Sequence, residues 1–407
     1  MAINLRTTAA QHEDRIRALR HELHRYPELG LDLPRTQSRV LDELADLGLE
    51  ITTGTDTTSI VAVLRGGARA EQDAPVVLLR ADMDALAVDE QNDLPYRSQV
   101  PGVMHACGHD LHTAMLAGAA RVLAEHRDAL RGDVVFMFQP GEEMHDGAAV
   151  MIREGVLNAA GRRPDAAYGM HVFASGVPLG KFVSRSGPML AAADGLRVNV
   201  VGRGGHASRP QDAVDPVPIA CEMVLALQSF VTRRFDVFDP LVCTVGAIAA
   251  GDLAAPNAIP SIARFAASVR FWSPETRERF HGEVDRLLEG IAAAHGASVE
   301  VEHVTGYPAT ITDASETEFV AATVGEVFGE DRFEFLPQPF AGSEDFSHVL
   351  AEIPGSFIGL GATPADVGPT TAAFNHSPEA RYADEALVDG TTLYAEIAMR
   401  RLAQLAG

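Results

Sequence analysis

The chain has 407 residues, of which 33 are Lys or Arg and 56 are Asp or Glu, giving a formal charge of −23. So acidic a balance excludes nucleic acid or an anionic membrane surface as the main partner, while 46% hydrophobic residues support a sizeable core and the length suggests two or three domains. Three cysteines, Cys107, Cys221 and Cys243, are too few and odd in number for a disulfide framework, which fits a reducing compartment.

Residues 1–30 lack a basic-then-apolar run and a small-residue cleavage site, so they are predicted to form a helix rather than an export signal. The longest apolar stretch, Pro216 to Val231, is broken by Glu222 and Gln228. A soluble, cytoplasmic protein is therefore expected.

Between residues 59 and 185, short apolar runs (SIVAVLRG, APVVLLRADMDAL, DVVFMFQP, AAYGMHV) alternate with helical patterns, predicting a mainly parallel sheet covered by helices. Residues 194–304 change style. GLRVNVVG, PLVCTVGAI, IARFAASVRFW and ASVEVEHV read as strands, with helices at Val214 to Thr232 and Pro274 to His295. That βαββαβ order predicts a small ferredoxin-like domain. The α/β style then resumes and closes on a helix from Asp384 to Leu405. The chain thus reads as one α/β catalytic domain, residues 1–186 and 305–407, interrupted by an inserted domain at 187–304, with hinges at Ser186-Gly187-Pro188 and Gly306-Tyr307-Pro308.

Ligands in open α/β sheets bind beyond the carboxyl ends of the strands, and chemistry-bearing residues gather there. Asp82 and Asp84 follow VVLLRA, Glu142 and Glu143 follow VVFMFQP, and His171 ends AAYGM. The cluster His105-Ala-Cys107-Gly-His109-Asp110-Leu-His112 opens a helix, and Asn375-His376-Ser377 lies in a long loop near the C-terminus. Thiolate, imidazole and carboxylate together favour Zn, Mn, Co or Ni over Mg or Ca. Of two adjacent glutamates, one can bind metal while the other moves a proton. His12, His21, His126, His281, His295 and His303 have no converging partners in the sequence and are expected to be structural or solvent-facing. His24, His105, His112, His145 and His348 adjoin the motifs as candidate supporting contacts, and Cys221 and Cys243 are expected in the core.

With these motifs in place the chain resembles, over essentially its full length, the dimetal aminoacylase/carboxypeptidase superfamily of metallopeptidases. Within it the chain is similar to the amidohydrolase branch of bacterial aminoacylases, hippurate hydrolases and indole-acetyl-amino-acid hydrolases. The carrying motifs also include His24-Arg-Tyr-Pro-Glu-Leu-Gly30, Gly204-Gly-His-Ala-Ser208 and Gly342-Ser-Glu-Asp-Phe346. The resemblance implies a zinc-exopeptidase-like fold with an inserted lid and dimerisation domain. It implies two divalent metal ions held by Cys107, His109, Glu143, His171 and His376, with Glu142 as general base and Asp84 orienting a ligand. His206 would hydrogen-bond the oxyanion, often from a partner subunit, and Asn257 and Arg270 would hold a substrate carboxylate. Two departures stand out: Asp82 occupies the place of a histidine ligand found in other branches, and Ala87 stands where the branch has proline.

The implied activity is hydrolysis of N-acyl amino acids, a small-molecule substrate, by a homodimer assembled through the inserted domain. A dipeptidase or carboxypeptidase of the same fold and a non-catalytic metal- or ligand-binding member are the alternatives. A cysteine hydrolase using Cys107 with His109 is disfavoured because the two positions are two residues apart at a helix start.

Overall fold

The computed structural model describes residues 3–70 and 72–407, and these form two compact units: 3–70 and 72–187 with 311–338 and 345–407, and 188–310 with 339–344. In the first unit, an eight-stranded sheet runs in spatial order Glu50–Thr53, Ile60–Leu64, Asp133–Gln139, Val76–Asp82, Ala166–Phe173, Gly355–Gly361, Phe182–Ser184, Phe333–Phe335. Its central strands, Asp133–Gln139, Val76–Asp82, Ala166–Phe173 and Gly355–Gly361, are mutually parallel. Both faces of those strands are covered, so the sequences VVLLRAD, DVVFMFQ and GSFIGLG are buried at every position instead of alternating. The sheet is mixed at both sides, where Ile60–Leu64 pairs antiparallel with Asp133–Gln139 and Phe182–Ser184 pairs antiparallel with Gly355–Gly361.

Helix His109–Glu125 lies against Val76–Asp82 and is flanked by Ala386–Leu405 and Glu13–Arg25. Its first fifteen residues are buried all round, which is why it lacks a polar stripe. Its N-cap is Gly108 at φ 84°, where a Cβ would come within 2.4 Å of Val172 Cγ2. Only glycine satisfies both the left-handed backbone and that close approach. Beneath the first turn, Arg20 donates to Asp110 at 3.0 Å and His24 Nδ1 lies 2.9 Å from the same carboxylate oxygen, anchoring the helix start through buried charges.

The second unit has the expected ferredoxin-like order: a four-stranded antiparallel sheet, Leu241–Ala250, Ile262–Phe271, Ala192–Val201, Ser298–Val304, with helices Pro216–Arg234 and Pro274–Ala294. Strands Ala192–Val201 and Ile262–Phe271 bury alternate residues, and Phe280, Val284, Leu288 and Ala292, four apart, form the stripe that faces them. Each helix starts with proline behind a capping side chain. Asp215 accepts from Val217 N at 3.0 Å, and Ser273 Oγ from Thr276 N at 3.1 Å. Cys243 is buried as expected, but Cys221 is exposed. The correction follows from helical phase, because the buried side of its helix is carried by Ile219, Ala220, Met223, Leu227 and Phe230. Among the described residues no helix is long and apolar enough to cross a membrane.

The second unit is pinned by Asp194, which is buried and accepts from Arg277 at 2.8 and 2.6 Å and from Gly306 N at 3.0 Å, with His281 Nε2 at 2.9 Å. Burial raises its pKa, but the Arg277 and Gly306 bonds outweigh burial and hold it below the ordinary value. Its contribution to stability is therefore present above the unfolded carboxylate pKa of about 3.9 and is lost as pH falls through the lower folded value. Arg277→Ala is expected to reduce the unfolding free energy near pH 7 by about 3 kcal/mol, because it strips the partner from a buried charge. Denaturant melts at a series of pH values should show this deficit narrowing below about pH 4.

Candidate metal centre

Five side chains from four chain segments converge at the carboxyl end of the first unit's sheet. Cys107 Sγ lies 3.3 Å from His171 Nε2 and 3.2 Å from His376 Nε2, and His376 Nε2 lies 3.2 Å from Glu143 Oε1. Ligand atoms of Cys107, His109 and His171 fall within 4.8 Å of one another, as do those of Cys107, Glu143 and His376 and those of His109, Glu142 and Glu143. Cys107 belongs to two of these groups, and His109 and Glu143 also link adjacent ones.

The ring orientations suit cation binding. His109 Nδ1 donates to the Asp84 carbonyl at 2.8 Å, which leaves Nε2 buried and without a hydrogen-bond partner among the described residues. His171 Nδ1 donates to Val172 O at 2.8 Å and turns Nε2 toward Cys107. Both rings thus have Nδ1 fixed as a donor and Nε2 aimed inward, the orientation metal sites use. Burial lowers the His109 pKa, but Asp82 and Asp84 outweigh burial and hold it well above its ordinary value, so a cation taking its Nε2 displaces a proton. A tetrahedral ion with S and N ligands at about 2.3 and 2.0 Å would separate them by about 3.5 Å, close to the spacing seen around Cys107. His376 sits at φ 71° and is secured by its N–H to Ala106 O at 2.8 Å. Hydrogen bonds with Cys107 and Glu143 push its pKa up to about 10, so a cation taking that nitrogen displaces a proton. The donor set of one thiol, carboxylates and imidazoles, buried at Cys107 and His109 and open at His376, fits a borderline divalent ion.

Asp84 is buried and accepts from Glu142 N through Oδ1 and from Glu143 N through Oδ2, each at 3.0 Å. With its carboxylate committed to backbone, Asp84 is a positioning residue. His109 Nδ1 bonds the Asp84 carbonyl at 2.8 Å, with Asp84 Oδ1 3.6 Å away.

Asp82, at the position of the missing histidine, joins a supporting layer instead. Its Oδ1 accepts from His112 Nδ1 at 2.6 Å and its Oδ2 from Arg80 at 2.6 Å, with His109 Nε2 3.8 Å away. Burial opposes its ionisation, but His109, Arg80 and His112 outweigh burial and hold its pKa well below the ordinary range. His112 Nε2 in turn accepts from Val172 N at 2.8 Å, so it is a neutral imidazole protonated on Nδ1. Asn375 completes the grip, donating to Val172 O at 3.0 Å and accepting from Ala174 N at 3.0 Å. Arg80 also donates to Gln139 and to Asp345, fully buried. Sequence reasoning flagged His112 only as an adjoining histidine and missed Arg80, Gln139, Asn375 and Asp345 as a network. The detectable signal was Arg80 and Gln139, a charged and an amide residue near the ends of strands that are otherwise mostly apolar. His105 is also buried, which drives its pKa down to about 3 and keeps it neutral.

The remaining candidates lie on the second unit. His206 is exposed, in a two-residue strand, Gly205–His206, that pairs with Ala258–Ile259, and Ala207 N donates to Asn257 O at 2.9 Å, so His206 and Asn257 adjoin. Arg270 does not join them. It lies eight positions beyond Ile262 along a single strand, roughly 26 Å at the usual rise per residue. Of the histidines expected to be structural, each has a local partner, for example His12 with Glu125 and His295 with Glu222.

Cys107→Ala is expected to lower bound divalent metal well below that of the unmodified chain, whereas Cys221→Ala leaves metal content unchanged; elemental analysis after dialysis checks both.

The family model of Peptidase family M20/M25/M40 matches residues 78–400. Hippurate hydrolase of Campylobacter jejuni is 34% identical over 94% of this chain and 96% of its own. Thermostable carboxypeptidase 1 of Saccharolobus solfataricus is 33% identical over 97% and 98%. The crystal structure of the YXEP protein of Bacillus subtilis, described as a dinuclear metal-binding peptidase from the M20 family, superposes with a TM-score of 0.82 at 29% identity, covering 97% of this chain and 99% of that one. With the match spanning most of the chain, and the ligand cluster falling within it, the protein belongs to the M20/M25/M40 family of metal-binding hydrolases.

Proposed function

We propose that the protein is a metal-dependent amidohydrolase that cleaves N-acyl amino acids to a carboxylic acid and a free amino acid. The observation that carries this reading is the pair Glu142 and Glu143 with both backbone N–H groups clamped by Asp84, next to a buried Cys/His/His cluster. One carboxylate is thereby presented to the ligand group of Cys107 and His376, and its neighbour is kept beside His109. Two divalent ions, of the Zn, Mn, Co or Ni class, would be held by Cys107, His109, Glu143, His171 and His376. When bound they would polarise the scissile carbonyl and acidify a water.

Glu142 takes the proton of the attacking water and returns it to the leaving nitrogen, a shuttle that needs a carboxylate held still but not bonded to the cation. Asp84 holds that carboxylate's peptide in place, and the Asp82–His112 pair with Asn375 holds the peptide following His171. His206 is assigned to the developing oxyanion, and Asn257 and Arg270 to the substrate carboxylate. Asn257 precedes the strand Ile262–Phe271 and Arg270 lies near that strand's far end, so on this reading they meet one carboxylate when supplied by different chains, which supports a homodimer assembled through the inserted domain. The free thiols of Cys107, Cys221 and Cys243 support a cytoplasmic location. A dipeptidase or carboxypeptidase activity is the second reading, supported by the carboxypeptidase relative; comparing blocked amino acids with unblocked dipeptides decides between them.

Glu142→Gln is expected to keep the metal while lowering kcat by roughly a hundred- to ten-thousand-fold on N-acyl amino acids, measured alongside metal content. Undiminished turnover in that variant overturns the reading. In a second test, Arg270→Ala and Asn257→Ala chains, each strongly impaired alone, should recover about a quarter of wild-type activity when co-assembled, since half of the random dimers carry one intact site. No recovery counts against carboxylate contacts drawn from two chains.

A further inference from the structure

An aromatic run leads outward from the metal ligands. The His171 ring lies 5.5 Å from that of Phe173, and the Phe173 ring 6.3 Å from that of Phe374, with tilts of 39° and 34°. Both separations are within the range of attractive ring pairs. Phe173 is buried and seated against Gly359, where a Cβ would come within 2.7 Å of its ring, so its direction is set by packing. Phe374 ends the run with 54% of its surface exposed.

That exposure is built in. Phe374 stands two residues before the ligand His376, on a segment tied down at both ends. Gly176 N and Ser175 Oγ each donate to Pro369 O at 2.7 Å, and Ala174 N donates to Asn375 Oδ1 at 3.0 Å. Ser377 N closes the turn on Phe374 O at 3.1 Å. Phe374 is thus a fixed, half-open apolar ring two residues from His376, placed where an apolar part of a substrate can cover it.

Resting on the amidohydrolase reading, we infer that Phe374, backed by Phe173, is a specificity-determining shelf for an aromatic or bulky apolar acyl group. The acyl side is chosen over the amino-acid side for a structural reason. The contacts assigned to the amino acid's carboxylate, Asn257 and Arg270, lie on the inserted unit, whereas Phe374 shares its loop with a ligand of the ions that take the scissile carbonyl. Of the two groups bonded to that carbonyl, the amide nitrogen leads to the amino acid whose carboxylate is assigned to the inserted unit, so the acyl group is the one left for the shelf, and a planar acyl group continues the ring run.

The experiment compares kcat/KM for the N-acetyl and N-benzoyl derivatives of one amino acid, and for the N-acetyl derivative of an aromatic amino acid, with metal content measured in each variant. Phe374→Ala should lower the benzoyl-to-acetyl ratio about tenfold at full metal content, the size expected for losing one aromatic contact and its apolar cover. Phe374→Leu should lower the ratio by less, and Phe374→Trp should preserve it. A ratio unmoved by both Phe374→Ala and Phe374→Leu, or a loss falling on the aromatic amino-acid substrate instead, overturns the shelf while leaving the amidohydrolase reading intact. A wild-type protein inert on every N-acyl substrate overturns the reading itself, and the shelf with it.

Discussion

Much of the site depends on Asp84, because one residue constrains both halves of the chemistry. Its carbonyl accepts from Nδ1 of His109 and so aims Nε2 inward, while its carboxylate takes the N–H groups of Glu142 and Glu143. A buried carboxylate without such donors would be costly; here each oxygen has a backbone partner, which offsets the burial. The strand ending at Asp82 and the strand ending at Gln139 are parallel neighbours, and this brings the loops after them close enough for these contacts.

Behind this lies a second buried layer: Arg80 between Asp82 and Asp345, and His112 between Asp82 and Val172. Buried ion pairs add little net stability compared with apolar packing, but they fix direction. In this protein the direction fixed is that of the peptide after His171, which is also held by Asn375. Asp82 therefore serves the scaffold, bonded to Arg80 and His112.

The second unit follows different rules. Its sheet is antiparallel and has one face covered by helices, so its strands alternate where those of the first unit are uniformly apolar. This contrast made the insertion visible from hydropathy alone. The ligand motifs were equally legible, because cysteine, histidine and paired glutamates at strand ends are expensive unless they bind something.

Fold class, the insertion and the residues of the Cys/His/Glu cluster were legible in the sequence, since periodicity and residue chemistry are local properties. Tertiary structure alone decided which atoms face inward and which partners hold them. His109 is oriented by a carbonyl twenty-five residues away, and Cys107 meets His376 across 269 positions. It also placed Cys221 on the surface, a matter of helical phase against a sheet, and set Arg270 at the opposite end of a strand from Asn257. Their spacing of thirteen residues could not show that separation, because distance along a chain becomes distance in space only once the strand between them is known to be straight.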